Sequence, residues 1–127
     1  MKATELMIGD WVCLKDDTKC EFLLKVDGVL TDDISLEGEG FLGGVDGLIR
    51  PIPITPKILE KNGWKRNKIF MDIKADENFN INFSWTDRYG ESLFQNGYYM
   101  CDCKYVHTLQ HALRLCGLDE LADNFKI

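Results

Sequence analysis

The chain has only two histidines, His107 and His111, four residues apart in the stretch KYVHTLQHALRLCG, residues 104–117. On a helix this spacing brings both imidazoles to one side, which is what half of a zinc site would need. A zinc centre takes three or four deprotonated ligands. Here the stretch offers two, without the glutamate of an HExxH pattern and with the Arg114 cation alongside. At helical spacing Leu109, Ala112, Leu113 and Cys116 form one apolar stripe, while His107, His111 and Arg114 fall on the other side. The pattern therefore predicts a solvent-facing or partner-contacting group of His107, Gln110, His111 and Arg114, not a metal centre. A pH-sensitive contact is the remaining chemistry that histidine offers. Gly117 should end the helix, and Arg114 in its last turn complements the dipole.

Other chemistry-bearing residues fare less well. Cys101 and Cys103 flank Asp102, and on a strand the two sulfurs would share a face roughly 6.5–7 Å apart. Zinc knuckles place two to four residues between their cysteines, on a tight turn, whereas only Asp102 separates these two. Cys13 and Cys20 do not supply a matching second pair. Five cysteines without a secretion-like leader read as reduced, mostly buried thiols. No serine stands in a G-x-S-x-G context, and Cys103 with His107 is a neighbourhood, not a motif. The glycine-rich GEGFLGGVDG lacks the G-K-[ST] ending of a phosphate loop and reads as turns and bulges. No catalytic motif and no cofactor signature emerge, so the expectation is a non-enzymatic protein without metal. A basic group, Lys57, Lys61, Lys65, Arg66 and Lys68, lies near Trp64. It reads first as a solvated helix face and second as a set of phosphate contacts.

These residues need elements to position them. In the first 50 residues, DWVCLK, EFLLKV, ISLEG and GLIRPI read as short strands. Asp27-Gly28 supplies a turn, and glycines punctuate residues 38–47. That pattern suggests a small SH3-like β-barrel or meander. Pro51 and Pro53 cannot donate to a sheet ladder and mark a connector. TPKILEKNG carries both ends of a helix: Thr55 as N-cap, Pro56 in the first turn and Gly63 after the last. KIFMDIKA, NFNINFSWT, SLFQNG and YYMCDCKYV follow as a meander. Phe79, Ile81, Phe83 and Trp85 alternate with Asn80, Asn82, Ser84 and Thr86, so one face is buried and one is wet. That wet face is a second place for a ligand or partner. The helix at 104–117 and a short LDELADNF helix close the chain. The whole predicts an α+β protein with a β-barrel-like subdomain over 1–53. An α+β subdomain over 54–127 should then carry helices packed on one face of an antiparallel sheet.

Size and charge bound the rest. At 127 residues the chain can bury roughly two-thirds of its unfolded surface without a staple. No apolar run approaches the roughly 20 residues of a membrane span, and MKATELMIGDWV has no apolar leader core. A cytoplasmic protein is expected. The net charge is −6. Residues 1–50 hold 11 acids against five bases, and residues 51–127 hold 10 of each. An acidic first part repels phosphate backbones. It suits solubility or a basic protein partner.

Three stretches together, ELMIGDWV, RPIPITPKILEKNGW and YVHTLQHALRLCGL, resemble a family of small uncharacterised proteins from prophages and mobile elements of gut Bacteroidales. Members open with an IGNWV-like strand, pass through a PIPLT-x-x-IL-x-K-x-GF-like helix and end with a YVHQLQHALRLCG-like helix. Order and spacing match over nearly the whole chain. Asp10, Trp64 and Thr108 stand where the family usually has Asn, Phe and Gln, and none of the three is expected to create or remove a site. The resemblance implies no activity. It implies that His107, Gln110, His111 and Arg114 are a surface signature used for contacts. The expected function is thus a binding or adaptor protein of a mobile element acting through protein contacts. A nucleic-acid-associated accessory protein is the alternative.

Overall fold

The computed structural model describes residues 5–14, 22–30, 33–38, 40–42, 49–86 and 90–127. The glycine-rich segment around residues 43–48 and the Tyr89 turn lie outside them. The architecture is α+β: two antiparallel five-stranded sheets and, among the described residues, three helices. The chain divides into two compact units, residues 1–53 with 105–125, and residues 54–104.

The first unit holds β1 (Trp11–Leu14), β2 (Phe22–Val29), β3 (Ile34–Leu36), β4 (Gly40–Leu42) and β5 (Ile49–Arg50), in the order β4-β3-β2-β1-β5. Strand β1 pairs with both β2 and β5. Its Val12 and Cys13 are buried, as a strand covered on both sides requires. Leu6, Val12, Val26, Ile34, Leu36 and Ile49 form the core. Asp27-Gly28 is not a turn: β2 runs through it, and the register with β3 shifts between Val26 and Gly28. A bulge absorbs the extra residue, which a glycine tolerates. The expectation of reduced thiols throughout also fails at Cys13, which is disulfide-bonded, whereas Cys101, Cys103 and Cys116 are thiols.

Helices α2 (Val106–Leu115) and α3 (Asp119–Asp123) belong to this first unit. Their place in the chain, after the second sheet, suggested that they would fold with that sheet instead. The chain leaves the first unit after Pro53 and rejoins it at Tyr105, where the two residues form an antiparallel bridge. The Val106 amide donates to the Ile52 carbonyl at 2.8 Å. One of the helix's unpaired first-turn donors is thereby satisfied although Tyr105, its N-cap, has no capping side chain. Gly117 follows the Cys116 C-cap with φ +77°, the stop the sequence announces.

The second unit opens with α1 (Pro56–Lys61). Thr55 Oγ1 accepts from the Ile58 amide at 3.2 Å, Pro56 sits in the first turn, and Gly63 has φ +84°. A meander follows: β6 (Lys65–Asn67), β7 (Phe70–Asp76), β8 (Phe79–Thr86), β9 (Gly90–Gln95) and β10 (Tyr98–Asp102), each paired with the next. Leu59, Trp64, Met71, Ile73, Ile81, Phe83 and Leu93 are among its buried apolar residues. Ile69, expected inside with Met71 and Ile73, is exposed because it falls in the β6–β7 turn. Tyr99 pairs with Phe94 and Cys101 with Leu93, with a register shift between. Tyr99 and Cys101 therefore do not share a face. No described helix is long and apolar enough to cross a membrane.

Candidate functional site

The polar side of α2 does not face solvent. His107 is only 7% exposed and Gln110 is fully buried. His111 and Arg114 are partly covered. The expected surface signature is an interior cluster, and its centre is a residue the sequence reading passed over: Asp10, also fully buried. Asp10 Oδ1 accepts from Arg114 Nη1 at 2.8 Å. Its Oδ2 accepts from the Met7 amide at 2.8 Å and lies 2.6 Å from His111 Nε2. A buried carboxylate is tolerable only when paired and hydrogen-bonded, and this one has three partners. Asp10 is thus the centre of an ion-pair cluster with His111 and Arg114.

Gln110 does the same work for the backbone. Its Oε1 accepts from the Trp11 amide at 2.9 Å, and its Nε2 donates to the Gly9 carbonyl at 2.8 Å and the Ala122 carbonyl at 3.0 Å. One carboxamide satisfies the entry to β1 and the last turn of α3 together. The Trp11 indole N–H donates to the Phe125 carbonyl at 2.6 Å, and Lys25 lies over its ring and donates to the Asp123 carbonyl. Gly9 has φ +94°, and a Cβ there would come within 2.9 Å of Arg114 Nη2. The IGDW stretch needs glycine both for the backbone and for the guanidinium beside it.

His107 is the exception in this cluster. Its ring stacks on Tyr105 and meets His111 edge-on. Among the described residues, its Nδ1 is the buried side-chain polar atom without a partner. Burial holds its pKa below the ordinary histidine value, and the facing His111 adds to this, while Asp10 and Glu5 oppose it. No group of three or more His, Cys, Asp or Glu poised for a metal occurs among the described residues. Burial also pushes the Cys103 thiol up, away from thiolate chemistry.

The second set of expected residues belongs to the other unit. Lys57 and Lys61 are exposed on α1, Lys65 and Arg66 on β6, and Lys68 in the following turn with φ +55°. All five belong to the second unit. Sequence reasoning took them for one helix face and missed β6, whose three residues carry no apolar signal.

The wet sheet face is the third place. Directly paired residues share a face, so the register aligns Lys65, Asp72, Asn82, Phe94 and Tyr99 in one row across all five strands. Asp72 Oδ2 accepts from Asn67 Nδ2 at 2.8 Å and its Oδ1 from Asn82 Nδ2 at 2.7 Å. Asn82 Oδ1 in turn accepts from the Gly97 amide. Phe70 meets Phe94 edge-on at 5.4 Å, and Phe94 meets Tyr99 in the same way at 5.9 Å. A depression of about 370 Å³ opens here, lined by Phe70, Asp72 and four asparagines, Asn67, Asn80, Asn82 and Asn96. Comparison of the chain with family models, with curated proteins and with solved structures finds no match.

Proposed function

We propose that this is a non-enzymatic binding or adaptor protein of a phage or mobile element, acting through protein contacts made by the first unit. The observation that carries the reading is a group of apolar side chains left outside the α2 cluster. Leu115 is 89% exposed at the end of α2, and Ile8 is 63% exposed in the turn whose carbonyl accepts from Arg114 Nη2. Met7, also exposed, lies with its sulfur 3.9 Å from Arg114 Nη1. Glu5, Asp119, Glu120 and Asp123 are exposed acids of the same unit. Exposed apolar side chains and exposed acids on one unit, whose backbone is fixed by buried ion pairs, suit a protein partner that offers apolar and basic groups.

The mobile-element setting rests on the resemblance of the three motifs alone. Within the same reading, the sheet of the first unit is an SH3-like small barrel, supported by β1 pairing with both β2 and β5. A cytoplasmic setting belongs to it as well, and the Cys13 disulfide is the observation that weighs against that setting. Alkylation in denaturant without reductant, directly on release from the host, followed by mass measurement, decides the point, since five modified cysteines fit a reducing compartment and three fit the disulfide. The functional test is affinity capture from the native host with wild type and an Ile8→Asp/Leu115→Asp variant. A partner held by wild type in a salt-sensitive way and lost from the variant supports the reading. Identical recovery by both overturns it.

A second reading, a nucleic-acid-associated accessory protein, is favoured by one observation. The five basic residues are all exposed on the second unit, whereas the acidic excess lies in the first.

A further inference from the structure

We propose that the outer face of the β6–β10 sheet binds single-stranded nucleic acid, taking a guanine base into the depression over Phe70. The inference rests on the second reading above and names the site where a base would sit. Single-stranded nucleic acid is held by aromatic rings that take a base, polar groups that meet the base edge, and cations that meet the backbone. This face carries all three on adjacent strands. Phe70 forms part of the floor, and Tyr99 is an exposed ring at the far end of the same aromatic series. Lys65 shares the face through its pairing with Asp72, and Lys74, two residues on from Asp72, shares it through the strand's alternation. Both lysines are exposed. Lys68 stands exposed in the turn that leads into Phe70.

The polar groups select among bases. Each oxygen of the Asp72 carboxylate already accepts one asparagine amide, and these two hydrogen bonds fix its plane. A carboxylate has about four acceptor sites, so two remain for a ligand. An oriented carboxylate with two open acceptor positions matches adjacent N–H donors, and guanine presents such a pair on its Watson–Crick edge. Asn80 lines the same depression, and among the described residues its carboxamide makes no hydrogen bond, the Asn80 backbone being engaged with Asn96. It has both a donor and an acceptor to offer the remaining edge of the base. A phosphate alone would find Asp72 repulsive, which is why the base, not the backbone, belongs in the depression.

The test uses fluorescence anisotropy of the full chain with labelled hexanucleotides UUGGUU, UUAAUU and UUUUUU at about 50 mM salt. The expected result is roughly tenfold tighter binding of UUGGUU, in line with one well-formed pair of hydrogen bonds to a base. Asp72→Asn and Asn80→Ala should each erase most of that preference, read as the ratio of UUGGUU to UUUUUU affinity, and Asp72→Asn should also tighten binding of all three oligonucleotides because it removes a negative charge. Because the Asn80 side chain supports nothing else, Asn80→Ala keeps the test clear of misfolding, and unchanged thermal unfolding confirms it. Equal affinity for the three oligonucleotides overturns the base site and leaves the basic-patch reading standing. No binding of any of them overturns both. Amide shifts at Asn80, Asn82 and Gly97 produced by maltose and not by guanosine monophosphate also overturn it, in favour of a hydroxylated ligand.

Discussion

The polar side of α2 and the polar side of the second sheet look alike as patterns, since each is a row of hydrogen-bonding side chains on a regular element. They end in opposite states. On α2, Gln110 is fully buried and His111 and Arg114 are partly covered, and all three are spent on the chain's own groups: Asp10, Gly9, Trp11, Ala122 and the Ile8 carbonyl. On the sheet, Asp72 and Asn82 are half-buried, and Asn80 holds an unengaged carboxamide beside an aromatic floor. The difference teaches that polarity on a helix or strand does not locate water. What decides is whether distant backbone groups arrive to use the donors and acceptors.

The comparison can be broken most forcefully at Gln110. Gln110→Ala leaves the Trp11 amide and the Gly9 and Ala122 carbonyls without their partner, which should cost on the order of 4 kcal/mol. Urea unfolding measures it, and a loss below about 1 kcal/mol would mean that these groups find water. Asp10→Ala comes next, at about 3 kcal/mol, because it strands the Arg114 cation in a largely covered site. Asp10→Asn should cost less because a carboxamide oxygen can still accept.

His107 sharpens the comparison from the other side, being the one member of the α2 set with an unused buried nitrogen. Its pKa lies below the ordinary histidine value in the folded state. Below a pH of about 6.5 the unfolded chain therefore takes up a proton that the folded chain resists. Stability from this group is complete above that pH and falls as the pH drops through it towards the lower folded value. His107→Phe removes that portion of the acid slope and leaves stability at neutral pH unchanged or higher, by up to about 1 kcal/mol. The smallest effect belongs to the sheet face. Asn80→Ala should change stability by no more than about 0.5 kcal/mol, whatever it does to ligand binding.

Much of the fold was legible because its determinants are local. The α1 caps at Thr55, Pro56 and Gly63, the alternation of β8, the proline connector and the Gly117 stop are each set by residues within a turn or two. The apolar stripe of α2 was legible for the same reason. Its polar arc was not, because its partners lie about a hundred positions away: Gln110 meets Trp11, and Arg114 meets Asp10. Nothing in periodicity reports such a pairing. The wet face of the second sheet could be read from Asn80 and Asn82, whereas Ser84, expected to be wet with them, is fully buried. The place of Asp72 and Lys65 on it followed only from the register, since β6 has no apolar alternation to announce it. The destination of α2 and α3 was hidden by chain order, which sets them after the second sheet although they fold with the first.

The central claim is that His111 and Arg114 fasten the chain to itself through Asp10. A double-mutant cycle of Asp10→Ala and Arg114→Ala, read by urea unfolding, tests it most directly. The ion pair predicts that the double variant is less destabilised than the sum of the singles, with a coupling of about 2 kcal/mol. Additive losses, with a coupling near zero, would contradict it and return Arg114 to the surface role that the sequence pattern suggested.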